Sequence, residues 1–160
     1  MKKRTVMAGI ISAVLYAAAA SALTSCDWME LFQNEDETEE LTVPMDEVLE
    51  VSEVVAGSFL GDTVWVHGFV VGGLQADGTI DFACGEDVML TALVIADTAD
   101  CSDPAQCLVL QLTKTSHKQE LGPDTRGWDS LLRRSIYVQG KSAIYKKRPA
   151  INNICQYKLE

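Results

Sequence analysis

Apolar and polar residues alternate most clearly over residues 61–72, which read Gly-Asp-Thr-Val-Trp-Val-His-Gly-Phe-Val-Val-Gly. The segment is rich in β-branched and aromatic residues and is bounded by glycines, which is typical of a β-strand. One face of such a strand carries Val64, Val66, Gly68 and Val70, and the other carries Trp65, His67, Phe69 and Val71. We expect the small aliphatic face to line a barrel interior and the ring-bearing face to point outward, with Gly68 permitting a bulge.

Four later segments have the apolar runs or the alternation of further strands: residues 90–96, 107–112, 135–140 and a last segment ending near Leu159. Residues 128–134 have the apolar spacing of one or two helical turns. Five strands with a short helix between the third and the fourth is the arrangement of the OB-fold, a small Greek-key barrel. The predicted fold class is therefore all-β with minor helix, in the form of a five-stranded OB-fold-like barrel.

Residues 42–57 carry helix signals at both ends. Pro44 suits a first helical turn, and Gly57 suits a C-terminal stop. Val48, Val51, Val54 and Val55 recur at spacings of three and four, which gives one apolar stripe. We predict an N-terminal helix here that closes one end of the barrel.

The first 25 residues have the pattern of a secretory signal. Basic residues at positions 2–4 precede an apolar segment, residues 6–20, and small residues follow it. A permanent membrane anchor is the alternative, but the apolar segment is short for a span of about 20 residues. The pattern favours a signal peptide over residues 1–25.

Residues 23–26, Leu-Thr-Ser-Cys, resemble the lipobox of bacterial lipoproteins, in which the cysteine thiol is alkylated with diacylglycerol, the chain is cut before it, and the new amine is acylated. The resemblance implies lipidation at Cys26. Each buried methylene contributes about 0.8 kcal/mol and one acyl chain holds only marginally, so several chains would anchor the protein almost permanently. The expected location is the cell envelope, at the outer membrane, either periplasmic or surface-exposed.

Residues 26–41 are predicted to be an acidic tether. Seven of the fourteen residues from Asp27 to Glu40 are acidic and none is basic, so this segment repels itself and stays extended. Acidic residues behind a lipidated cysteine resemble a surface-export signal, whereas Asp27 directly after it resembles an inner-membrane retention mark. Removal of residues 1–25, with their three basic residues, takes the formal charge from −10 to −13. Such a charge disfavours binding to nucleic-acid backbones.

Residues 42–160 are predicted to be the folded domain, and they resemble a known family. Residues 64–72, Val-Trp-Val-His-Gly-Phe-Val-Val-Gly, are similar to the Val-Trp-Val-Lys-Gly-Tyr-Ile-Val-Gly of OB-fold modules in Gram-negative lipoproteins, grouped as a domain of unknown function, DUF6359. The likeness continues through residues 95–98, 107–112 and 137–145. His67 stands where the family usually has a basic residue. The resemblance implies a fold and a location, and it implies no activity or ligand.

Four cysteines follow the tether: Cys84, Cys101, Cys107 and Cys155. In an exported domain they predict two disulfides with three possible connectivities. We favour Cys101–Cys107 and Cys84–Cys155, which by loop entropy would contribute on the order of 2 and 4 kcal/mol.

Catalytic and metal sites are not predicted. His67 and His117 are the only histidines and lie in no recognised motif. The spacing of Cys101, Cys107 and His117 matches no common zinc site. Asp97, Asp100 and Asp103 lie close together, but their loop lacks the regular ligand spacing of calcium loops, so a solvated acidic loop is favoured. No cofactor is expected.

Two surfaces are candidates for binding a partner. The first is the ring-bearing face with Trp65, His67 and Phe69, which in polymer-binding OB-folds is the docking platform; the alternative is that a neighbouring segment covers these rings. The second is the basic tip Lys146-Lys147-Arg148, which would meet an acidic partner or would only protect a sheet edge. We expect a non-catalytic, lipid-anchored binding or scaffolding module, whose partner is a larger envelope protein or a glycan. The alternative is an extracytoplasmic nucleic-acid or polyanion binder.

Overall fold

The computed structural model describes residues 41–160, so the predicted signal peptide, Cys26 and most of the acidic tether lie outside the described residues. The strands are β1 (Val48–Glu50), β2 (Thr63–Gln75), β3 (Ile80–Asp81), β4 (Val88–Ala96), β5 (Leu108–Gln111), β6 (Ser135–Tyr145) and β7 (Arg148–Leu159). The helices are α1 (Val51–Val55), α2 (Thr115–Leu121), α3 (Pro123–Arg126) and α4 (Trp128–Leu131), with 3-10 turns at Met45–Glu47 and Pro104–Gln106. The prediction of a mostly β fold with few helices is confirmed. None of these helices is long and apolar enough to cross a bilayer.

All seven strands belong to one sheet, and five of them pair in a closed circuit. β2 pairs with β4, β4 with β5, β5 with β7, β7 with β6, and β6 returns to β2. The β5–β7 pair is parallel and the other four pairs are antiparallel. Register shifts in β2 after Val70 and Gly73 and in β6 after Gln139 make this circuit an irregular ring and not a regular barrel. The bulge expected at Gly68 lies instead beyond Val70.

The inner face of β2 is the one that the sequence predicts. Val66 and Val70 are fully buried in the main apolar cluster, and Val64 packs against it. The cluster also includes Leu93 and Ile95 of β4, whose aliphatic run is buried on both faces. Leu121 and Leu131, from the short helices between β5 and β6, extend the cluster at one side. Alternation therefore identifies the core side of the longest strand correctly.

The predicted N-terminal helix is wrong over its first half. Residues 48–50 form β1, which pairs parallel to β2 with Val48 opposite Trp65 and Glu50 opposite His67. Only Val51–Val55 is α-helical, and Val51 and Val54 of this helix enter the main cluster. Valine is β-branched and favours strands, so valines at helical spacing do not by themselves decide for a helix. The free edge of β2 offers hydrogen bonds, and these favour the strand over residues 48–50.

A second apolar cluster lies on the outer side of the sheet. Residues that alternate with the inner ones are fully buried there: Ala92, Val94, Ala96, Val109 and Ala150. The residues that cover them come from β3, the loops and the end of β6: Ile80, Phe82, Cys101 and Tyr145. This side of the sheet is therefore an interior surface beneath the protein's own loops.

Candidate functional site

The outer face of β2 and β6, which we call the β2–β6 face, carries three ring-bearing side chains and one hydroxyl: His67, Phe69, Tyr137 and Ser135. The register places His67 opposite Tyr137 and Phe69 opposite Ser135. The rings of His67 and Tyr137 lie 4.5 Å apart between centroids with a tilt of 32°, and those of His67 and Phe69 lie 5.5 Å apart, edge to face. These are favourable aromatic arrangements, and they hold the imidazole between two rings.

Trp65 is on the predicted outer side but is not an open binding residue. Its side chain is only 5% exposed. Val48 of β1 pairs beside it on one edge and Gln139 of β6 on the other. The prediction of Trp65 as an accessible contact is therefore wrong, because the segment expected to be a helix adds a strand next to it. His67 and Phe69 remain half-buried and reachable.

A groove of about 210 Å³ runs along this face. It is lined by Met45, Val48, Leu49, Glu50, His67 and Tyr137. Met45 is 66% exposed, although it is a large apolar side chain. The groove thus combines two aromatic rings, an exposed thioether and one carboxylate, which is a composition suited to binding and not to a closed core.

The imidazole of His67 is held by a hydroxyl group. His67 Nε2 and Ser135 Oγ lie 2.9 Å apart, within hydrogen-bond distance. The contact therefore fixes the ring on the sheet surface.

The basic tip is a tight turn in which Lys146 and Arg148 bond within the protein. Lys146 and Lys147 have positive φ values of 48° and 64°, as a two-residue type I′ hairpin turn requires. Lys146 Nζ donates to the Ala76 carbonyl. Arg148 donates from Nε to the Gly78 carbonyl at 2.6 Å and from Nη1 to the Pro104 carbonyl at 3.3 Å. Arg148 thus joins two loops that cover the outer sheet surface, and Lys147 is the exposed member of the tip.

All four described cysteines are free thiols in the structure. Cys101 and Cys107 are neighbours, because both Sγ atoms approach the Asp103 carbonyl oxygen, at 3.8 and 3.3 Å. The two thiols are close together but unlinked, so the favoured first pairing stays a prediction.

The predicted Cys84–Cys155 pairing does not fit the structure. Cys84 lies beside Gly73 of β2, whose amide interacts with its thiol. Cys155 lies in β7 between Asn152 and Gln156. The part of β6 that pairs with these residues also pairs with β2 near Val64, so Cys155 is level with Val64. These levels are nine residue steps apart along β2, roughly 30 Å of strand length, whereas a disulfide needs Cα atoms within about 7 Å.

The three aspartates of the 97–103 region act separately. Asp97 accepts hydrogen bonds from the amides of Val51 and Ser52, at 2.6 and 3.1 Å, and so caps α1. Asp100 pairs with Arg133 at 3.5 Å. Asp103 accepts from the amide of Ala105. Within residues 41–160, no group of three or more His, Cys, Asp or Glu side chains could hold a metal ion.

His117 is a core residue of α2. Its ring is 6% exposed and meets the Tyr157 ring edge to face at 5.4 Å. Nδ1 is buried without a hydrogen-bond partner. Burial lowers the pKa of His117 below its ordinary value, and the nearby Lys114 charge lowers it further. This histidine is therefore a neutral packing residue.

Tyr137, Ser135 and Met45 are site residues that the sequence analysis did not identify. The alternation of residues 136–138 assigns Tyr137 to the outer side of its strand. Antiparallel pairing of the first and fourth strands, which the OB-fold layout implies, would then have brought it to His67. Met45 carries no such signal, because its position depends on β1.

Comparisons with known proteins place the chain by family alone. Residues 49–160 match the family described as "Domain of unknown function (DUF6359)". No curated protein sequence gives a significant match. Among solved structures, the crystal structure of a protein described as an aspartyl-tRNA synthetase from Leishmania major Friedlin is similar to this chain. The TM-score is 0.42 and the identity 10%, and the match covers 75% of this chain and 22% of that one. So distant a likeness carries no functional information.

Proposed function

Because the chain belongs to the DUF6359 family, which assigns no activity, we propose its function from its surface: a lipid-anchored, non-catalytic binding or scaffolding module of the cell envelope. The binding residues in this proposal are His67, Phe69 and Tyr137, with Met45 at the rim of the groove. The partner is a glycan or a segment of a larger envelope protein.

The observation that carries this proposal is the groove on the β2–β6 face. Aromatic rings held rigid by neighbours lose little conformational entropy on binding, and aromatic residues dominate binding energy at interfaces. The His67 ring is fixed by Tyr137 and Ser135, and Met45 is exposed beside it. The strands that carry these rings pack with their other face on the closed core, so the rings lie on a rigid part of the sheet.

Two observations favour this function over a nucleic-acid or polyanion binder. The outer surface of β4 and β5 is buried beneath the loops, so it offers no stacking platform. Lys146 and Arg148 donate to backbone carbonyls, which leaves Lys147 as the exposed cation of the tip. The formal charge of −10 opposes polyanion binding in addition.

Anchoring and location are supported by residues 1–41 of the sequence. The lipobox-like residues 23–26 supply the acylated cysteine, and the acidic tether supplies a spacer that repels an anionic lipid surface. We place the anchored domain at the outer membrane. Mass spectrometry of the membrane fraction should find an acylated N-terminal Cys26, and an unmodified mature terminus would contradict the anchor.

The binding role is tested by a glycan array and a cross-linking screen of envelope proteins, followed by affinity measurements on variants. Tyr137→Ala removes a central ring, and a central contact of this kind is worth about 2 kcal/mol, or roughly 30-fold in Kd. Met45→Ala should weaken binding by a smaller factor. The matched control is Ile144→Ala, since Ile144 is 60% exposed but lies away from the groove.

The outcomes separate the surfaces clearly. Weakening by Tyr137→Ala and Met45→Ala, with Ile144→Ala unchanged, supports the β2–β6 face. Equal affinity of wild type and Tyr137→Ala for the ligand found would show that the face is not the binding site. Binding that is lost in Lys147→Ala and falls steeply with salt would favour the polyanion alternative.

A further inference from the structure

Cys101 and Cys107 form a pair of thiols, six residues apart, in the loop between β4 and β5. Their Sγ atoms approach one carbonyl oxygen, that of Asp103, at 3.8 and 3.3 Å. The loop is held in this shape by its own bonds: the Asp103 carboxylate accepts from the Ala105 amide at 2.9 Å and from Gln106 Nε2 at 3.1 Å. The loop therefore holds the two free thiols beside the same backbone carbonyl.

The two thiols differ in their access to solvent. Cys107 is 1% exposed and belongs to the second apolar cluster. Cys101 is half-buried and lines a cavity of about 250 Å³ together with Val70, Phe82 and Arg133. A reagent from solvent therefore reaches Cys101, and it does not reach Cys107 directly.

We propose that Cys101 and Cys107 are a dithiol modification site, in which Cys101 takes up an external disulfide and Cys107 resolves it into an intramolecular disulfide. The Cys101 thiolate attacks one sulfur of the oxidant R–S–S–R, forms a mixed disulfide and releases RS⁻. The Cys107 thiolate then attacks the Cys101 sulfur and releases the second RS⁻. The two protein thiols lose two electrons and two protons, and the oxidant becomes two thiols.

This proposal is independent of the ligand of the β2–β6 face, because the two cysteines lie in the loop that covers the outer sheet surface. The oxidant is a small or protein-borne disulfide, such as an exported protein meets in an oxidising compartment. Oxidation would join Cys101 to the buried start of β5 and so fix the loop over the outer sheet surface. The cavity beside Cys101 would lose its reactive group.

The resolving step should depend on pH. In the reduced pair, burial, the Cys101 side chain and the Asp103 charge raise the pKa of Cys107 to about 12, against the opposing charge of Arg148. Burial and the Asp103 charge remain when Cys101 carries the mixed disulfide, and they keep the pKa of Cys107 raised in the resolving step. Only the thiolate attacks, and its fraction grows about tenfold per pH unit below the pKa. The mixed disulfide at Cys101 should therefore disappear about tenfold faster for each unit between pH 6 and pH 8.

The test uses the reduced full-length chain, oxidised glutathione as the oxidant, acid quenching, alkylation and peptide mapping by mass spectrometry. Wild type should give a Cys101–Cys107 link through a transient glutathione adduct on Cys101. Cys107→Ala should accumulate that adduct, and Cys101→Ala should leave Cys107 as a thiol. Cys155→Ser is the matched control, because Cys155 is exposed and lies in β7, outside the loop that carries the pair, and it should leave the Cys101–Cys107 link unchanged.

Several results would overturn the proposal. A glutathione adduct on Cys101 that persists in wild type as long as in Cys107→Ala would show that Cys107 does not resolve it. Direct modification of Cys107 in Cys101→Ala would contradict the order of reaction. The same oxidation in urea checks that the selectivity comes from the fold, since unfolded full-length chains should react at all five cysteines.

Discussion

Gly68 lies in β2 where the helix α1 presses on the inner face of the sheet. A Cβ atom at this position would lie 2.8 Å from Val51 Cγ2, 3.0 Å from the Ala96 carbonyl oxygen and 3.2 Å from Ile95 Cδ1. The Val51 side chain is β-branched and fully buried, so it cannot turn aside freely. We predict that Gly68→Ala destabilises the fold, although alanine is the better β-former of the two.

The size of this effect follows from the contacts. Overpacking of a closed core by one methyl group costs about 1–3 kcal/mol, because a neighbour must leave its rotamer or the backbone must shift. Two of the three contacts are with side chains and one is with a backbone oxygen, so only part of the strain can relax. Val51→Ala removes the nearest atom. We therefore expect the Val51→Ala, Gly68→Ala double variant to be about 1 kcal/mol more stable than the sum of the two single effects implies.

Urea denaturation of wild type, both single variants and the double variant measures this coupling. Gly85→Ala is the control, since an added Cβ would have a single near contact, an Asp81 carboxylate oxygen at 3.3 Å, and Gly85 is exposed. If Gly68→Ala is neutral, or if the two substitutions add without coupling, the close packing of α1 on β2 is refuted.

Three further predictions concern the loops, the α1 cap and the core histidine. Arg148→Ala should lower the free energy of unfolding by about 1–3 kcal/mol, because its hydrogen bonds to the Gly78 and Pro104 carbonyls are lost. Lys147→Ala should change this free energy by less than about 0.5 kcal/mol. Equal effects of the two variants in urea titrations would contradict the role of Arg148 in joining the loops. Asp97→Asn should lower the free energy of unfolding by about 1 kcal/mol, because it weakens the cap of α1. Asp100→Asn should lower it much less, because Asp100 belongs to an exposed ion pair. In the same urea titrations, a larger loss for Asp100→Asn than for Asp97→Asn would refute the assignment of Asp97 as the cap. Because burial lowers the pKa of His117 from 6.5, the contribution of this histidine to stability is present above that pH and is lost as the pH falls through the lowered value. Thermal unfolding at several pH values should show this loss of stability in wild type and not in His117→Phe. An unchanged pH dependence in the variant would exclude His117 as its source.

The sequence predicts the strands well where alternation and burial agree. Val66 and Val70 have the same orientation in the structure as in the pattern, and the segments at 90–96 and 135–140 become β4 and β6. These strands are long or strongly aliphatic, so local preference and tertiary packing favour the same state. The short helix before the fourth strand is likewise present as Trp128–Leu131.

The site is less predictable, because its accessibility depends on pairs that are distant in sequence. Trp65 has the right orientation, but the pairing of Val48 beside it decides that it is buried. The stripe of valines in residues 48–55 fits a helix and a strand equally, and the free edge of β2 settles the first part as a strand. Likewise, no local signal shows that Arg148 finds acceptors at Gly78 and Pro104, which are 70 and 44 residues away.

The central claim, that the β2–β6 face binds a partner, is tested most directly by the ring resonances of the histidines. The chain has two, His67 at the groove and His117 in the core, so ¹H–¹³C NMR gives two assignable signals. Addition of the ligand found by the screen should shift the His67 signal and leave that of His117 unchanged. Saturating ligand that leaves the His67 signal in place would contradict the proposed site.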